Sequence, residues 1–149
     1  METLIIVRHG LYNDKLRLTP KGLEKLEILA AQIQLQILDK NIVLLTSPAP
    51  RAKDSAEVLA RQLGVTCSEH GELWSDADHP QDNKALFALI QNYFEIAEVL
   101  ILVTHLEYAQ DFPRFFGATF LDTYFPHIEV EKGEAVIIYC DQKTYSVLA

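Results

Sequence analysis

The chain has 149 residues, 49% of them hydrophobic and 23% charged, with a formal net charge of −8. Those values fit one soluble globular domain over 1–149 that is large enough to bury a real core. They argue against nucleic acid or an anionic membrane as the main partner, because both reward a broad basic surface, and no apolar run approaches the roughly 18 residues of a membrane span.

The opening residues Met1-Glu2-Thr3-Leu4 carry no basic stretch of the kind that begins a secretory signal, so a cytoplasmic location is expected. Leu4-Ile5-Ile6-Val7 then runs straight into Arg8-His9-Gly10, the pattern of a buried parallel strand ending in a functional loop. A polar connection from Leu11 to Leu18 leads to Thr19-Pro20, an N-cap hydroxyl before a first-turn proline, which predicts a helix from about Pro20 to Asp39. Its buried stripe is Leu23, Leu26, Ala30, Ile33 and Ile37.

Ile42 to Thr46 reads as a second buried strand, and Ser47-Pro48-Ala49-Pro50 forbids further sheet pairing before a helix from about Arg51 to Leu63, closed by Gly64. Val65 to Ser68 is a short third strand. Glu69 to Asn83 is acidic and turn-rich, a loop suited to covering a site. Leu86, Leu89, Ile90 and Phe94 mark another helix, Val99 to Thr104 a fourth strand ending at His105, and Glu107 to Phe116 a helix ending near Gly117. Strand signals recur at His127 to Glu131, Ala135 to Cys140 and Tyr145 to Leu148, with Lys132-Gly133-Glu134 as a hairpin turn. Cys67 and Cys140 fall inside apparent strands, too few for a disulfide framework, and read as reduced core residues.

Strands alternating with helices predict an α/β three-layer sandwich, a mostly parallel central sheet with helices on both faces. Right-handed crossovers then put the strand ends on one edge, where open α/β sheets bind ligands. Arg8 and His9 follow strand one, Arg51 follows strand two and His105 follows strand four. Two arginines and two histidines gathered there make an anion pocket with charge for the equatorial oxygens of a phosphoryl group and, in a neutral histidine, an in-line nucleophile. No metal or cofactor is required by that scheme.

The motifs Arg8-His9-Gly10, Leu18-Thr19-Pro20-Lys21-Gly22, Ser47 to Ala56 around Arg51, and Val103-Thr104-His105 together resemble the histidine phosphatase superfamily, the group that includes phosphoglycerate mutases. The resemblance spans about two-thirds of the chain. It implies a phosphoglycerate mutase-like fold with His9 as phosphoacceptor, Arg8 and Arg51 as phosphate clamps and His105 as the second histidine of the pocket. Larger members carry insertions that 149 residues cannot hold, and they place a general-acid glutamate in a segment resembling Glu72-Leu73-Trp74-Ser75. Here that place falls at or near Ser75, followed by Asp76 and Asp78, a pattern similar to the small bacterial phosphohistidine phosphatases. Imidazole leaves far more readily than an alkoxide, so a pocket without a strong acid suits a P–N substrate, whereas Asp76 or Asp78 acting as that acid would suit an ester.

Three positions depart from the family pattern. Lys15 stands where an asparagine is common, Leu16 where an arginine is common, with Arg17 one place along, and Leu106-Glu107-Tyr108 follows His105 where a proline is usual. These put the rim, and so the substrate, in question. Gly10, Arg17, Asp76 and Asp78 are the candidate rim residues. The expected function is hydrolysis of phosphohistidine in a protein; the alternatives are a small-molecule phosphomonoesterase acting on a phosphorylated metabolite and a non-catalytic phosphate-binding module. His70, His79 and His127 match no zinc spacing, Glu107 reads as a first-turn dipole partner, Ser47 as a helix cap, and Trp74 equally as a substrate platform or a lid residue.

Overall fold

A computed structural model describes residues 1–148. Six strands form one sheet in the order β3-β2-β4-β1-β5-β6: β1 (Thr3–Arg8), β2 (Ile42–Thr46), β3 (Cys67–Glu69), β4 (Val99–Thr104), β5 (Ala135–Tyr139) and β6 (Thr144–Leu148). The first four in that order are mutually parallel, and β5 and β6 add antiparallel strands beside β1. β1 and β4 are uninterrupted apolar runs because both faces of the sheet are covered.

Alternation of side chains divides the core in two. Ile5, Val7, Ile101 and Val103 pack with Leu26, Leu29, Ala30 and Ile33 of α1 (Pro20–Gln36) and with Ala52, Ala56 and Leu59 of α2 (Pro50–Leu63). Leu4, Ile6, Leu100 and Leu102 pack with Leu86, Leu89 and Ile90 of α3 (Asn83–Gln91) and with Tyr108, Phe112 and Phe116 of α4 (Leu106–Phe116). The result is the three-layer α/β arrangement expected from the sequence.

Several local expectations are corrected. α1 stops at Gln36 rather than Asp39, because Asp39 adopts φ 59° in the turn to β2. Leu23 lies on the rim of α1, 37% exposed, and Leu29 takes its place in the buried stripe. β3 is a three-residue edge strand, so Cys67 is exposed; Cys140 is buried, and burial pushes its thiol up to about 11. Residues 127–131 form no strand. Ile128 and Val130 are buried with the expected alternation, yet the sheet edge of β1 is already occupied by β5. This backbone is held instead by Ile128 N–H on the Gln110 carbonyl and by Arg8 Nη1 on the Val130 carbonyl. Lys132-Gly133-Glu134 is correspondingly no hairpin turn but the bend that delivers the chain into β5.

The Leu18 to Gly22 motif has a packing reason. Thr19 Oγ1 accepts from Gly22 N–H at 3.0 Å and caps α1, while the Thr19 amide donates to the Leu11 carbonyl. A Cβ on Gly22 would lie 2.5 Å from that same carbonyl oxygen, so only glycine lets the helix start sit against the loop that follows β1. A helical Gly→Ala change ordinarily adds stability. Here Gly22→Ala is expected to cost about 1–3 kcal/mol and to lower Tm by about 2–10 °C in a thermal melt.

Candidate active site

Register brings the site together. Arg8 pairs with Thr104, Thr46 with Val103, and the ladder continues through His9 N–H on the Thr104 carbonyl and Ser47 N–H on the Val103 carbonyl. His9, Ser47 and His105 therefore emerge side by side at the carboxyl edge of β1, β2 and β4. Arg51 joins them from the first turn of α2. Arg8, His9, Arg51 and His105 line one cavity of about 250 Å³.

His9 is buried, and its Nδ1 stands 3.0 Å from the Gly10 carbonyl oxygen. A carbonyl can only accept, so Nδ1 carries the proton and Nε2 keeps its lone pair. That lone pair faces Arg51 Nε at 3.4 Å. Gly10 is fixed in turn: its amide donates to Ser55 Oγ, which donates to the Arg51 carbonyl. Gly10 is thus a support for the imidazole and does not line the cavity. A Cβ there would meet Leu18 Cδ1 at 2.8 Å.

His105 sets its Nε2 2.8 Å from Ser47 Oγ and its Nδ1 3.3 Å from Arg51 Nη2. Ser47 accepts from Ala49 N–H, as a cap would, but α2 begins without a side-chain cap, and the hydroxyl's further partner is this ring. Burial lowers both histidines from 6.5, His9 to about 4 and His105 to about 3, and the nearby guanidinium of Arg51 acts in the same direction. Both rings are neutral at pH 7. Arg8 donates from Nη1 to Val130, while its Nε is buried without a partner among the described residues. Burial also lowers the Arg8 pKa, opposed by the carboxylate of Glu107.

The rim differs from expectation. Asp76 lines the cavity, but its carboxylate accepts from Trp74 Nε1 at 2.7 Å, from the amides of Asp78 and His79 at 2.9 Å each, and from His79 Nδ1 at 2.9 Å. Those bonds, the His79 one foremost, lower it to about 2. It has no proton to give, and it stands 3.8 Å from Arg51 Nη2. Asp78 lies outside the cavity, lining a separate hollow with Trp74 and Tyr108. Arg17 is also elsewhere, in a bidentate pair with Asp54 at 2.7 and 2.8 Å that ties the loop before α1 to α2. Leu16 at φ 60° and the Asn13 side chain, which accepts from the amides of Lys15 and Arg17, turn that loop away from the cavity. Trp74 stacks on His79 with ring centroids 4.1 Å apart and buttresses the Asp76 turn.

Tyr12, Ser75, Glu107 and Lys132 complete the wall. Glu107 accepts from Ser75 Oγ at 2.8 Å, and Lys132 Nζ lies 4.7 Å from the Tyr12 ring centroid. Glu107 is legible in the sequence only by its place two residues after His105, where the helix dipole accounts for it without a functional role. Lys132 has no local signal, since it reaches β1 through long-range bonds: Gly133 N–H binds the carbonyls of Arg8 and His9, and Arg8 N–H binds the Glu134 carbonyl. The assembled site presents three cations, Arg8, Arg51 and Lys132, and two neutral histidines against two carboxylates, Asp76 and Glu107. Such an arrangement can hold a phosphoryl-sized anion beside a free imidazole lone pair.

No protein-family model matches the chain, and no curated protein matches its sequence. Solved structures do resemble it. The protein histidine phosphatase SixA complexed with tungstate is 17% identical with TM-score 0.72, covering 97% of this chain and 93% of its own. A mycobacterial glucosyl-3-phosphoglycerate phosphatase complexed with VO3 is 12% identical with TM-score 0.66, covering 99% and 97%. A phosphoglycerate mutase from Plasmodium falciparum is 16% identical with TM-score 0.58, covering 97% and 87%. The fold of the chain is that of the phosphoglycerate mutase-like histidine phosphatases.

Proposed function

We propose that the chain is a phosphatase that works through a phosphohistidine on His9, with phosphohistidine in proteins as its substrate. The observation that carries this reading is the His9 ring, with Nδ1–H pinned on the Gly10 carbonyl and the Nε2 lone pair turned toward Arg51 inside a cavity shared with Arg8 and His105. Nε2 attacks phosphorus, the bond to the leaving group breaks, and the positive charge of the phosphorylated imidazole is stabilised through Nδ1–H by that carbonyl. Water then attacks the phosphorus from the vacated side, releasing phosphate and returning neutral His9. Arg8 and Arg51 bind the phosphoryl oxygens and their positive charge offsets what develops there in the transition state, with His105 beside them as a neutral ring of the same pocket.

Substrate class follows from proton supply. A phosphohistidine whose second ring nitrogen is protonated departs as neutral imidazole and needs no acid from the protein. Asp76 is held as a carboxylate and Asp78 lies outside the cavity, which favours that substrate. A second reading, a phosphomonoesterase for small esters, is favoured by Glu107 in the cavity wall, the one carboxylate there that could serve as acid.

Phosphate release from a phosphohistidine peptide, an aryl phosphate and an alkyl phosphate separates these. His9→Ala is expected to lose at least about 10³-fold in kcat on every substrate that the native protein turns over. Turnover of none by the native protein, with phosphate still bound, would instead identify a non-catalytic module. Glu107→Gln should leave phosphohistidine hydrolysis within about twofold; a loss of about 10²–10⁴-fold confined to the alkyl phosphate would assign Glu107 as general acid and the enzyme to small esters.

The pH profile tests the nucleophile. With its pKa lowered to about 4, His9 stays neutral as pH falls through 6.5 and is protonated only near 4. After correction for titration of the substrate's own phosphoryl group, kcat/KM on aryl phosphate at pH 5.5 should remain above about half its value at pH 7. An unperturbed histidine would be about nine-tenths protonated there. An inflection near 6.5 would rule out the buried, neutral His9.

A further inference from the structure

Beside the phosphoryl cavity lies a second hollow, of about 410 Å³, lined by Arg8, Leu11, Lys21, Lys25, Glu131 and Lys132. Arg8 and Lys132 belong to both, so the two hollows share a wall. Four cations face one carboxylate here, in a chain whose net charge is −8. The fold itself seats one of them. Lys25 lays its stem across Gly133, where a Cβ would meet Lys25 Cδ at 3.1 Å and Cγ at 3.3 Å, and Gly133 stands at φ 82°. The same Gly133 amide is bonded to the carbonyls of Arg8 and His9, so the bend that closes the active-site edge also seats Lys25. Glu131 pairs with Lys25 at 3.6 Å, acts on Arg8 from further off, and is itself mostly exposed. Lys21 makes no ion pair among the described residues.

From this juxtaposition we propose that the hollow is an anion subsite, and that the substrate carries a second negatively charged group, a carboxylate or phosphate, next to the phosphoryl group that is transferred. The inference rests on the reading of the first cavity as a phosphoryl site. An acidic side chain flanking a phosphorylated residue and the carboxylate of a small phosphoester offer the same chemistry.

Binding decides the matter independently of turnover. In a His9→Ala background, which prevents hydrolysis, calorimetry compares phosphoserine peptides flanked by Glu or by Gln, and phosphoglycolate with ethyl phosphate. In at least one of these pairs the form with the extra carboxylate should bind about five- to tenfold more tightly, with the preference reduced to within about twofold in Lys21→Gln/Lys25→Gln and by 0.5 M salt. Inorganic phosphate should bind the lysine variant and its parent alike. Preference confined to the peptides points to a protein substrate, and confined to phosphoglycolate to a metabolite. Equal binding within both pairs, or a preference that survives loss of both lysines, overturns the subsite. A preference seen in a chain whose native form releases no phosphate would leave the subsite standing and the phosphatase reading fallen.

Discussion

The parallel register of β1, β4 and β2 is the constraint on which the rest depends. Because β1 ends level with β4, Arg8 opposite Thr104, and β2 one residue earlier, Thr46 opposite Val103, the first residues beyond the ladder are forced together at one edge. His9, Ser47 and His105 occupy those places, and each can reach the next without a long loop. The strands end within one residue of each other because every residue of β4 is buried and the strands on both sides must satisfy its backbone. Any slip would leave amides unpaired in the core and would move both histidines out of reach of Arg51. Site geometry and core packing are in that sense one requirement.

Placing two imidazoles against a guanidinium has an electrostatic consequence. Burial chiefly, and the neighbouring positive charge with it, opposes protonation, so the rings stay neutral bases beside the cations that attract an anion. Each ring then needs one nitrogen fixed so that the other is aimed. The Gly10 carbonyl does this for His9 and Ser47 Oγ for His105. Asp76 has a different part. Saturated by Trp74, Asp78 and His79, its carboxylate stays charged beside Arg51 and restrains the guanidinium from outside the ring pair.

What the sequence made legible was whatever short-range pattern controls. Buried parallel strands announce themselves as unbroken apolar runs, so β1, β2 and β4 were readable, and Arg8, His9 and His105 with them. Arg51 followed from the prolines that fix the start of α2. Residues 127–131 show the limit of that logic: their alternation was real and both apolar residues are buried, but pairing depends on which sheet edge is vacant, and β5 had taken it. Arg17 and Asp78 misled for a related reason. Each is close in sequence to the site, but Leu16 in the left-handed region and the turn around Asp76 carry their side chains away. Lys132 lies at the opposite extreme, more than 120 residues from His9 in the chain, and is brought near by Gly133 on the Arg8 and His9 carbonyls and by the pairing of β5 with β1.

The acidity of the chain gives that basic edge its selectivity. At physiological ionic strength charges are screened over about 8 Å, so the distant carboxylates that make up the net −8 weakly oppose a bound anion, whereas the cations in the cavity walls act at contact distance. A ligand able to bury a compact double charge among Arg8, Arg51 and Lys132 gains the full local attraction. One whose charge is spread along its length meets the repulsion of the remaining surface before it meets more than one or two of those cations. Concentrating positive charge in two adjoining hollows of an otherwise negative molecule therefore favours anions that are small, or that carry their charges close together, and the walls shared by Arg8 and Lys132 set how close that has to be.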